Sequence, residues 1–303
     1  MNEAVTDGAA KADYTAAAMS LPPSPPSRPA PRPAASLAAS QAVAPAGDGG
    51  PLLSVVIPAH DEASNLPTLV EEVAAALRPL AASLNASWEV IVVDDASGDH
   101  TPAALRGVAT AVPELRVLRH RRQSGQSAGL LTGIRAARGV WIATLDGDGQ
   151  NDPADIPALW RALQAVPVGA RPLALIAGHR TARRDSAIRR LSSRMANGVR
   201  RRILQDDTPD TGCGLKLFAR DAFMALPHFD HMHRFLPALV QRAGGQSHSV
   251  PVNHRPRGGG RSHYGIANRL WVGIVDLMGV AWLLRRQRLP GPIEEMNRSE
   301  NRP

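Results

Sequence analysis

The sequence is poor in several features that define large classes of protein. Its 303 residues include one cysteine, Cys213, which excludes an intramolecular disulfide framework and a cysteine-cluster zinc site. It has no run of roughly 18 or more uncharged apolar residues, which argues against an ordinary transmembrane helix. No basic cluster followed by an apolar run opens the chain, so we expect no secretory signal. These absences favour a globular protein of a reducing compartment.

Lysine is also scarce, although the chain is basic. There are 35 Lys and Arg residues against 27 Asp and Glu, a net charge of +8, and the only lysines are Lys11 and Lys216. An arginine-rich surplus predicts an anionic partner: nucleic acid, a phosphate ligand or an anionic membrane surface. Charge alone does not choose among these. A non-catalytic nucleic-acid binder stays an alternative, although no recognised nucleic-acid module is visible.

Composition divides the chain into segments. Residues 1–50 are rich in Ala, Pro and Ser, with Pro-Pro-Ser-Pro-Pro at 22–26, which predicts a disordered tail. We expect one folded domain over 51–265, a helix over 266–288 and a second disordered tail over 289–303. Hydrophobic residues make up 44% of the chain, which is enough to build a core for that domain.

Within the predicted domain, short apolar strands alternate with amphipathic helices. We predict strands over 53–58, 88–93, 115–118 and 140–145, with helices over 64–77, 101–112 and 124–137 between them. The less regular second half predicts helices over 185–205, 232–242 and 268–284 and a short strand over 250–252. Such alternation is typical of an α/β fold with a mostly parallel sheet flanked by helices. Ligands of these folds bind beyond the carboxyl ends of the strands.

Acidic residues follow three of the predicted strands. Glu62 comes after the first strand, Asp94 and Asp95 end the second, and Asp146-Gly147-Asp148 follows the fourth. Two carboxylates one residue apart can share a hard cation, Mg²⁺ or Mn²⁺, to which Gln150 would add an oxygen, and such cations favour phosphate oxygens as further ligands. The structural alternatives are a helix cap for Asp94 or Asp95, a first-turn acid for Glu62 and a solvated turn for the D-x-D.

Three segments together resemble a known family. Residues 53–66, 90–101 and 144–153 are similar to the signatures of the family 2 glycosyltransferases, which have a Rossmann-like GT-A fold. More narrowly they resemble dolichol-phosphate mannosyltransferase and the bacterial polyprenyl-phosphate glycosyltransferases, and the similarity continues through 125–128, 210–218 and 254–265. The resemblance implies an inverting transfer of a sugar from a GDP- or UDP-linked donor to a polyprenyl phosphate, with Mg²⁺ or Mn²⁺ as cofactor.

The resemblance also implies roles for single residues on the donor side. The nucleotide pocket would be lined by Pro58, Ala59, Glu62 and Asp95, with Asp94 and Gln126 nearby. Asp146 would face the sugar end of the donor. The metal would be held by Asp146, Asp148 and Gln150.

On the acceptor side, the resemblance implies a cluster of phosphate-binding residues. These are Arg180, Arg255, Arg257, Arg261 and Ser262, and His263 stands where the family usually carries Lys. A phosphate acceptor is already ionised near neutral pH, because its second pKa is about 6, so it needs arginines rather than a general base. The alternative, transfer to a sugar or lipid hydroxyl, needs a carboxylate base, and Asp210 is the candidate.

A lipid acceptor requires contact with a membrane. Arginines alternate with apolar residues over 185–205, and the 268–284 helix carries Trp271 and Trp282 ahead of three arginines. Both patterns favour an anionic membrane interface, and helices packed on the domain with a solvated basic face are the alternative. We therefore expect a peripheral enzyme on the cytoplasmic face of the inner membrane, without a nucleic-acid partner. The sequence leaves a homo-oligomer open.

Overall fold

A seven-stranded sheet forms the centre of the protein. A computed structural model describes residues 50–180, 198, 200–206, 208–256 and 266–286, with the backbone alone for 266–271. The strand order in the sheet is β3-β2-β1-β4-β6-β5-β7. In chain order the strands are β1 Leu53–Ala59, β2 Trp88–Asp94, β3 Leu115–Arg119, β4 Trp141–Thr144, β5 Ala174–Arg180, β6 Lys216–Ala219 and β7 Gln246–Val252.

Helices cover both faces of this sheet. Their bounds are α1 Leu66–Ser83, α2 Thr101–Ala109, α3 Gln126–Ala136, α4 Ile156–Ala165, α5 Arg220–Met224, α6 Leu236–Arg242 and α7 Ile266–Arg285. Helices α1, α2 and α4 pack on one face and α3, α5, α6 and α7 on the other, each over its own apolar core. Because successive strand residues point to opposite faces, β1 supplies Val55 and Ile57 to the first core and Val56 to the second.

Strand direction decides which strand ends share an edge. Strands β1 to β4 run parallel to one another through the pairs β1–β2, β1–β4 and β2–β3. Strand β6 runs antiparallel to both β4 and β5, while β5 and β7 are parallel. The carboxyl ends of the other strands therefore lie at the same edge as the amino end of β6. That edge collects Asp94, Asp146, Arg180 and Lys216, and we call it the site edge.

The predicted α/β architecture, a mostly parallel sheet flanked by helices, is confirmed. The predicted single helix over 232–242 is wrong in its first part, because Met232–Arg234 form a 3₁₀ turn and α6 begins at Leu236. Pro237 lies in the first turn of α6, where its missing N–H removes no helical hydrogen bond. The helix therefore starts beside the proline, four residues later than predicted.

Several predictions concern segments outside the described residues. They are the tails over 1–50 and 289–303, apart from Gly50, and most of the basic helix over 185–205. The C-terminal helix is present as α7, which extends slightly beyond the predicted 268–284. Within the described ranges, no helix combines the length and the hydropathy needed to cross a membrane.

Candidate active site

The D-x-D turn follows β4 directly and lies at the site edge. The Asp146 Oδ1 accepts a hydrogen bond of 2.7 Å from the side-chain amide of Gln126, the first residue of α3. Gly214 approaches the Asp146 carboxylate so closely that a Cβ would overlap it, which requires glycine there. The Asp148 Oδ1 accepts a hydrogen bond of 3.2 Å from the backbone N–H of Gln150. The structure thus brings these predicted donor and metal residues together at one turn.

Asp146 lies in an environment that disfavours its ionisation. Burial and then the charge of Asp148 raise the pKa of Asp146 from 3.8 to about 6, while Lys216, Arg180 and Gln126 act in the opposite direction. No described basic side chain lies within ion-pair distance of either carboxylate. A divalent cation fits this pair, because its charge would stabilise both ionised carboxylates.

The number of protein ligands limits how such a cation would be bound. In the described part of the chain, no group of three or more His, Cys, Asp or Glu side chains could hold a metal ion. A cation at the D-x-D turn would therefore take further oxygens from a substrate or from water. This is the ligand set that Mg²⁺ favours at phosphate-handling sites, where one or two carboxylates join the substrate phosphates.

Asp95, just beyond β2, holds the loop that precedes α3. Its two carboxylate oxygens accept hydrogen bonds from the backbone N–H groups of Ser124 and Gly125 at 2.8 and 2.7 Å. The Oδ1 also lies 2.6 Å from Nδ1 of His120. The carboxylate is buried. The side chain predicted to bind the nucleotide therefore orders the loop that carries Gln126 to the D-x-D turn.

Asp94 shapes the turn between β2 and α2. Its Oδ1 accepts a hydrogen bond of 2.9 Å from the N–H of Ser97, three residues on, and its Oδ2 lies 3.2 Å from Nε of Arg119. The first N–H of α2, on Thr101, donates instead to Asp99 at 2.8 Å. The carboxylate that bonds to the start of α2 is thus Asp99, and Asp94 acts one turn earlier.

Pro58, Ala59 and Glu62 line the end of β1. Glu62 lies four residues before α1, so it is not a first-turn residue, and its Oε2 accepts a hydrogen bond of 2.6 Å from the Asn65 side chain. Gly147 of the D-x-D turn passes over the strand end, where a Cβ would lie 3.1 Å from the Pro58 carbonyl oxygen and 3.2 Å from the Ala59 Cβ. The predicted nucleotide-pocket residues Pro58 and Ala59 thus adjoin the D-x-D turn.

Arg180, at the end of β5, forms a bidentate ion pair with Asp210. Its Nε lies 2.7 Å from Oδ2 and its Nη2 lies 2.9 Å from Oδ1, and the backbone N–H donates to Oδ2 at 3.3 Å. The side chains are only 15% and 8% exposed. Burial alone would lower the pKa of Arg180, but Asp210 raises it. Both oxygens of the predicted general base are therefore bonded to an arginine.

Lys216 is a buried cation at the site edge that the sequence analysis did not select. It begins β6, is 3% exposed, and its Nζ donates a hydrogen bond to the carbonyl oxygen of Cys213. Burial lowers the pKa of Lys216, and the charge of Asp146 is among those that oppose this shift. A signal was available, because Lys216 is the only lysine after residue 11 in an arginine-rich chain.

After Lys216, His233 is a second residue that lies near the candidate site and that the sequence analysis did not assign to it. Its Nδ1 lies 2.8 Å from Oγ of Ser127, next to Gln126 in the first turn of α3. Burial, with the charge of Lys216 as the next cause, lowers the pKa of His233 to about 3, so the ring is neutral at physiological pH. Nearby His231 contacts Asp276 of α7, with Nδ1 3.0 Å from Oδ2.

Arg255, for which a phosphate role is predicted, forms ion pairs with two carboxylates outside the D-x-D turn. Its guanidinium pairs with Glu72 of α1 at 2.6 Å and with Asp152 at 2.7 Å. Among the described residues, no ion pair joins Arg255 to the D-x-D carboxylates. The remaining predicted phosphate ligands, together with His263, lie outside the described residues: Arg257, Arg261 and Ser262.

Sequence comparison with known proteins decides the family. The profile described as "Glycosyl transferase family 2" matches residues 54–226, more than half of the chain. The chain belongs to glycosyl transferase family 2. This glycosyltransferase is 37% identical over 243 residues to the dodecaprenyl-phosphate galacturonate synthase of Rhizobium johnstonii, covering 79% of this chain and 69% of that protein.

A second curated relative points to the same branch of the family. The glycosyltransferase is 33% identical over 214 residues to the undecaprenyl-phosphate 4-deoxy-4-formamido-L-arabinose transferase of Pectobacterium carotovorum. That match covers 70% of this chain and 62% of the relative, so the chain spans slightly less than two thirds of that protein. Both relatives are named for a sugar joined to a polyprenyl phosphate.

Solved structures share the fold of this glycosyltransferase. A mannosyltransferase from Pyrobaculum calidifontis, in complex with GDP-Man and Mn²⁺, superposes with a TM-score of 0.57 at 21% identity, covering 84% of this chain and 71% of that one. Glucosyl-3-phosphoglycerate synthase from Mycobacterium tuberculosis, in complex with Mn²⁺, UDP and phosphoglyceric acid, gives 0.57 at 16% identity and covers 80% and 81%. These likenesses establish the GT-A fold.

Proposed function

We propose that this glycosyltransferase moves a sugar from a nucleotide-diphosphate sugar to a polyprenyl phosphate, with inversion at the anomeric carbon. The observation that carries this proposal is the carboxylate pair Asp146 and Asp148, which has no ion-pair partner among the described residues. It lies beside the ion-paired Arg180 and the buried Lys216. The two carboxylates could bind a cation that holds the anionic leaving group. The adjoining cationic side chains could attract a phosphate nucleophile. The names of the two curated relatives support the same acceptor class.

The donor end of the site would bind Mg²⁺ or Mn²⁺ through Asp146 and Asp148. When bound, the cation would neutralise the charge that develops on the departing nucleotide diphosphate. The chain itself supplies orientation: Gln126 holds Asp146 by a hydrogen bond of 2.7 Å, and Gln150 holds Asp148 through its backbone N–H. The ordered loop bonded to Asp95 keeps Gln126 in place.

The acceptor end favours a phosphate over a hydroxyl. A hydroxyl acceptor needs a general base within hydrogen-bond reach. The candidate base, Asp210, has both oxygens bonded to Arg180, which stabilises its ionised form but leaves it poorly placed to take a proton. A phosphate oxygen needs no base, and Arg180 can attract it with the N–H groups that it does not give to Asp210.

The face of α7 that points away from the domain supports contact with an anionic membrane. Its buried side packs Val280 on the second core, whereas four large apolar side chains are 41–68% exposed: Ile274, Val275, Met278 and Trp282. Arg285 and Arg286 are also exposed at the carboxyl end of this helix. An apolar face with cationic residues at one end suits the interface of an anionic bilayer.

A transfer assay tests the proposed reaction. Radiolabelled GDP- and UDP-sugars would be offered with undecaprenyl phosphate and Mg²⁺ or Mn²⁺, and we expect label in the lipid only with the cation present. Transfer to a hydroxyl acceptor, with none to lipid phosphate from any donor, would refute the proposal. Asp210→Asn separates the two acceptors further, because phosphate acceptance predicts substantial residual turnover and hydroxyl acceptance predicts near-complete loss.

Vesicle flotation tests the membrane contact. Met278→Gln and Trp282→Gln should each weaken binding to anionic phosphatidylglycerol vesicles by about tenfold, because each removes a large apolar side chain from the interface. Val168→Gln is the matched control, since Val168 is 58% exposed outside α7. Equal binding of all three variants and the unaltered protein would show that α7 does not meet the membrane.

A further inference from the structure

The segment 253–256 is joined to the end of the D-x-D turn by an isolated antiparallel β-bridge between Asn151 and His254. Next to the bridge, the backbone N–H of Arg255 donates to the carbonyl oxygen of Gln150 at 2.9 Å, and the Gln150 side chain donates to the Arg255 carbonyl oxygen at 3.5 Å. The backbone of Arg255 therefore contacts the residue whose N–H bonds to Asp148.

The guanidinium of Arg255 is bonded to two carboxylates outside the D-x-D pair. Nη1 donates to Glu72 of α1 at 2.6 Å, and Nη2 donates to Asp152 at 2.7 Å. The exposed fractions of the three side chains are 36% for Arg255, 35% for Glu72 and 14% for Asp152, so the pairs are partly shielded from water. Both terminal nitrogens of the guanidinium are therefore used in contacts within the protein.

A third contact joins the same segment to the same acidic neighbours. The backbone N–H of Asn253 donates to Asp155 at 2.7 Å, and its side-chain amide lies 3.5 Å from Asp152. Asp152 also accepts a hydrogen bond from the N–H of Ala154 at 3.0 Å, which fixes the carboxylate that Arg255 meets. The side chain of Arg255 and both the backbone and the side chain of Asn253 are thus bonded to carboxylates outside the D-x-D pair.

We propose that Arg255 is a positioning residue, which fastens the segment 253–256 to the D-x-D turn and sets Gln150, and that its guanidinium does not contact the substrate phosphates. The functional meaning of this fastening rests on the proposed function, in which the D-x-D turn binds the donor. The resemblance to the family implied the opposite role for Arg255, so the two readings give different mutational outcomes. Glu72 distinguishes the positioning role from the phosphate-binding role, because it lies on α1 and a phosphate-binding role of Arg255 does not involve it.

Backbone hydrogen exchange tests the fastening without any substrate. The variants are Arg255→Gln, the double variant Glu72→Gln with Asp152→Asn, and the matched control Glu71→Gln, whose side chain is exposed on α1 next to Glu72. We expect exchange of the amides of Asn253 and Arg255 to speed up by roughly five- to tenfold in the first two, the effect of losing two half-exposed ion pairs. The control should exchange like the unaltered protein. Unaltered exchange in the double variant would overturn the proposal.

Nucleotide affinity tests the second half of the proposal. The probes are UDP and GDP with Mn²⁺. A positioning role predicts that Arg255→Gln and the double carboxylate variant weaken binding to a similar degree, by about fivefold. A phosphate contact predicts that freeing the guanidinium in the double variant preserves or improves binding while Arg255→Gln weakens it, and that outcome would refute the proposal. If the unaltered protein binds neither nucleotide, the proposed donor class fails, and the exchange experiment still decides the role of Arg255.

Discussion

The two sides of the site edge differ in how far their charged side chains are paired within the protein. On the side of β1, β2 and β4, both oxygens of Asp95 accept backbone hydrogen bonds, and Asp94 has one such bond and an ion pair with Arg119. Asp146 and Asp148, in contrast, repel each other without an ion-pair partner among the described residues. On the side of β5, β6 and β7, the described cations are matched by protein oxygens: Arg180 by Asp210, Lys216 by Cys213 and Arg255 by Glu72 and Asp152.

This difference indicates where a chain of net charge +8 offers charge for binding a ligand. The unbalanced charge at the site edge is negative and concentrates at one turn, although the sequence as a whole is basic. A count of charged residues would have pointed to the arginines. Because Asp146 and Asp148 have no ion-pair partner among the described residues, the D-x-D turn is the stronger candidate for recruiting a cation and, with it, a nucleotide diphosphate.

The largest expected effect comes from removing the unbalanced charge. Asp148→Asn should lower the rate of sugar transfer by about 10³-fold, because the cation would lose one of its two carboxylates and stabilise the leaving group less. The measurement is lipid-linked label under saturating Mn²⁺. Asp221→Asn is the control, since Asp221 is a 67% exposed carboxylate of α5. If Asp148→Asn kept more than about a tenth of the rate, the D-x-D turn would not be the cation site.

The next effect comes from breaking the most buried matched pair. Asp210→Asn leaves the guanidinium of Arg180 buried beside a neutral amide, and we expect the free energy of unfolding to fall by about 3–4 kcal/mol. Urea denaturation measures it. The same control, Asp221→Asn, breaks only a surface contact of 3.6 Å with Arg220 and should change stability by about 0.5 kcal/mol or less. Equal effects in the two variants would remove the distinction between the buried pair and the surface pair.

A smaller effect of opposite sign is expected at Asp146 in the protein without added metal. The pKa of Asp146 is raised from 3.8 to about 6 in the folded state, so the folded protein binds its proton more tightly than the unfolded chain does. The free energy of unfolding therefore falls as pH rises from about 4 to 6, because Asp146 ionises, and the loss is complete above pH 6. Asp146→Asn removes that loss and should stabilise the protein by on the order of 2–3 kcal/mol at pH 7.5.

Thermal denaturation in EDTA at pH 4 and pH 7.5 would check this pH dependence. The Asp146→Asn variant should melt higher than the unaltered protein only at the higher pH. Added Mn²⁺ should reverse the order at pH 7.5, because it stabilises only a protein that binds it. A variant that is less stable at pH 7.5 in EDTA would indicate that Asp146 is already compensated by its protein neighbours.

The acidic side of the site was largely predictable from sequence, because its residues follow strands that run parallel. Asp146, Asp148 and Gln150 share the turn after β4, at the edge that the strand-end argument indicated, and Gln126, which the resemblance placed nearby, bonds to Asp146. Lys216 was not predictable in this way. It begins a strand instead of following one, and it reaches the site edge only because β6 runs antiparallel to β4.

Arg255 has a contact that its motif does not predict. The resemblance implies a phosphate ligand, which stays a prediction, and the ion-pair partner Glu72 is 183 residues away in the chain. Nothing local in the sequence connects the two. The pairing depends on how α1 packs on the sheet, and a motif carries no information about that packing.

The sequence by itself determined the elements of the first half, β1 to β4 with α1 to α3, and the chemical types at the ends of those strands. Periodicity of two or of 3.6 residues specifies strands and helices locally, and the D-x-D directly follows the fourth predicted strand. Only the tertiary structure decided which charges are neutralised within the protein and which are left for a ligand. The physical reason is that an ionic interaction depends on distances of a few ångströms and on burial, and both are set by contacts between residues far apart in the chain.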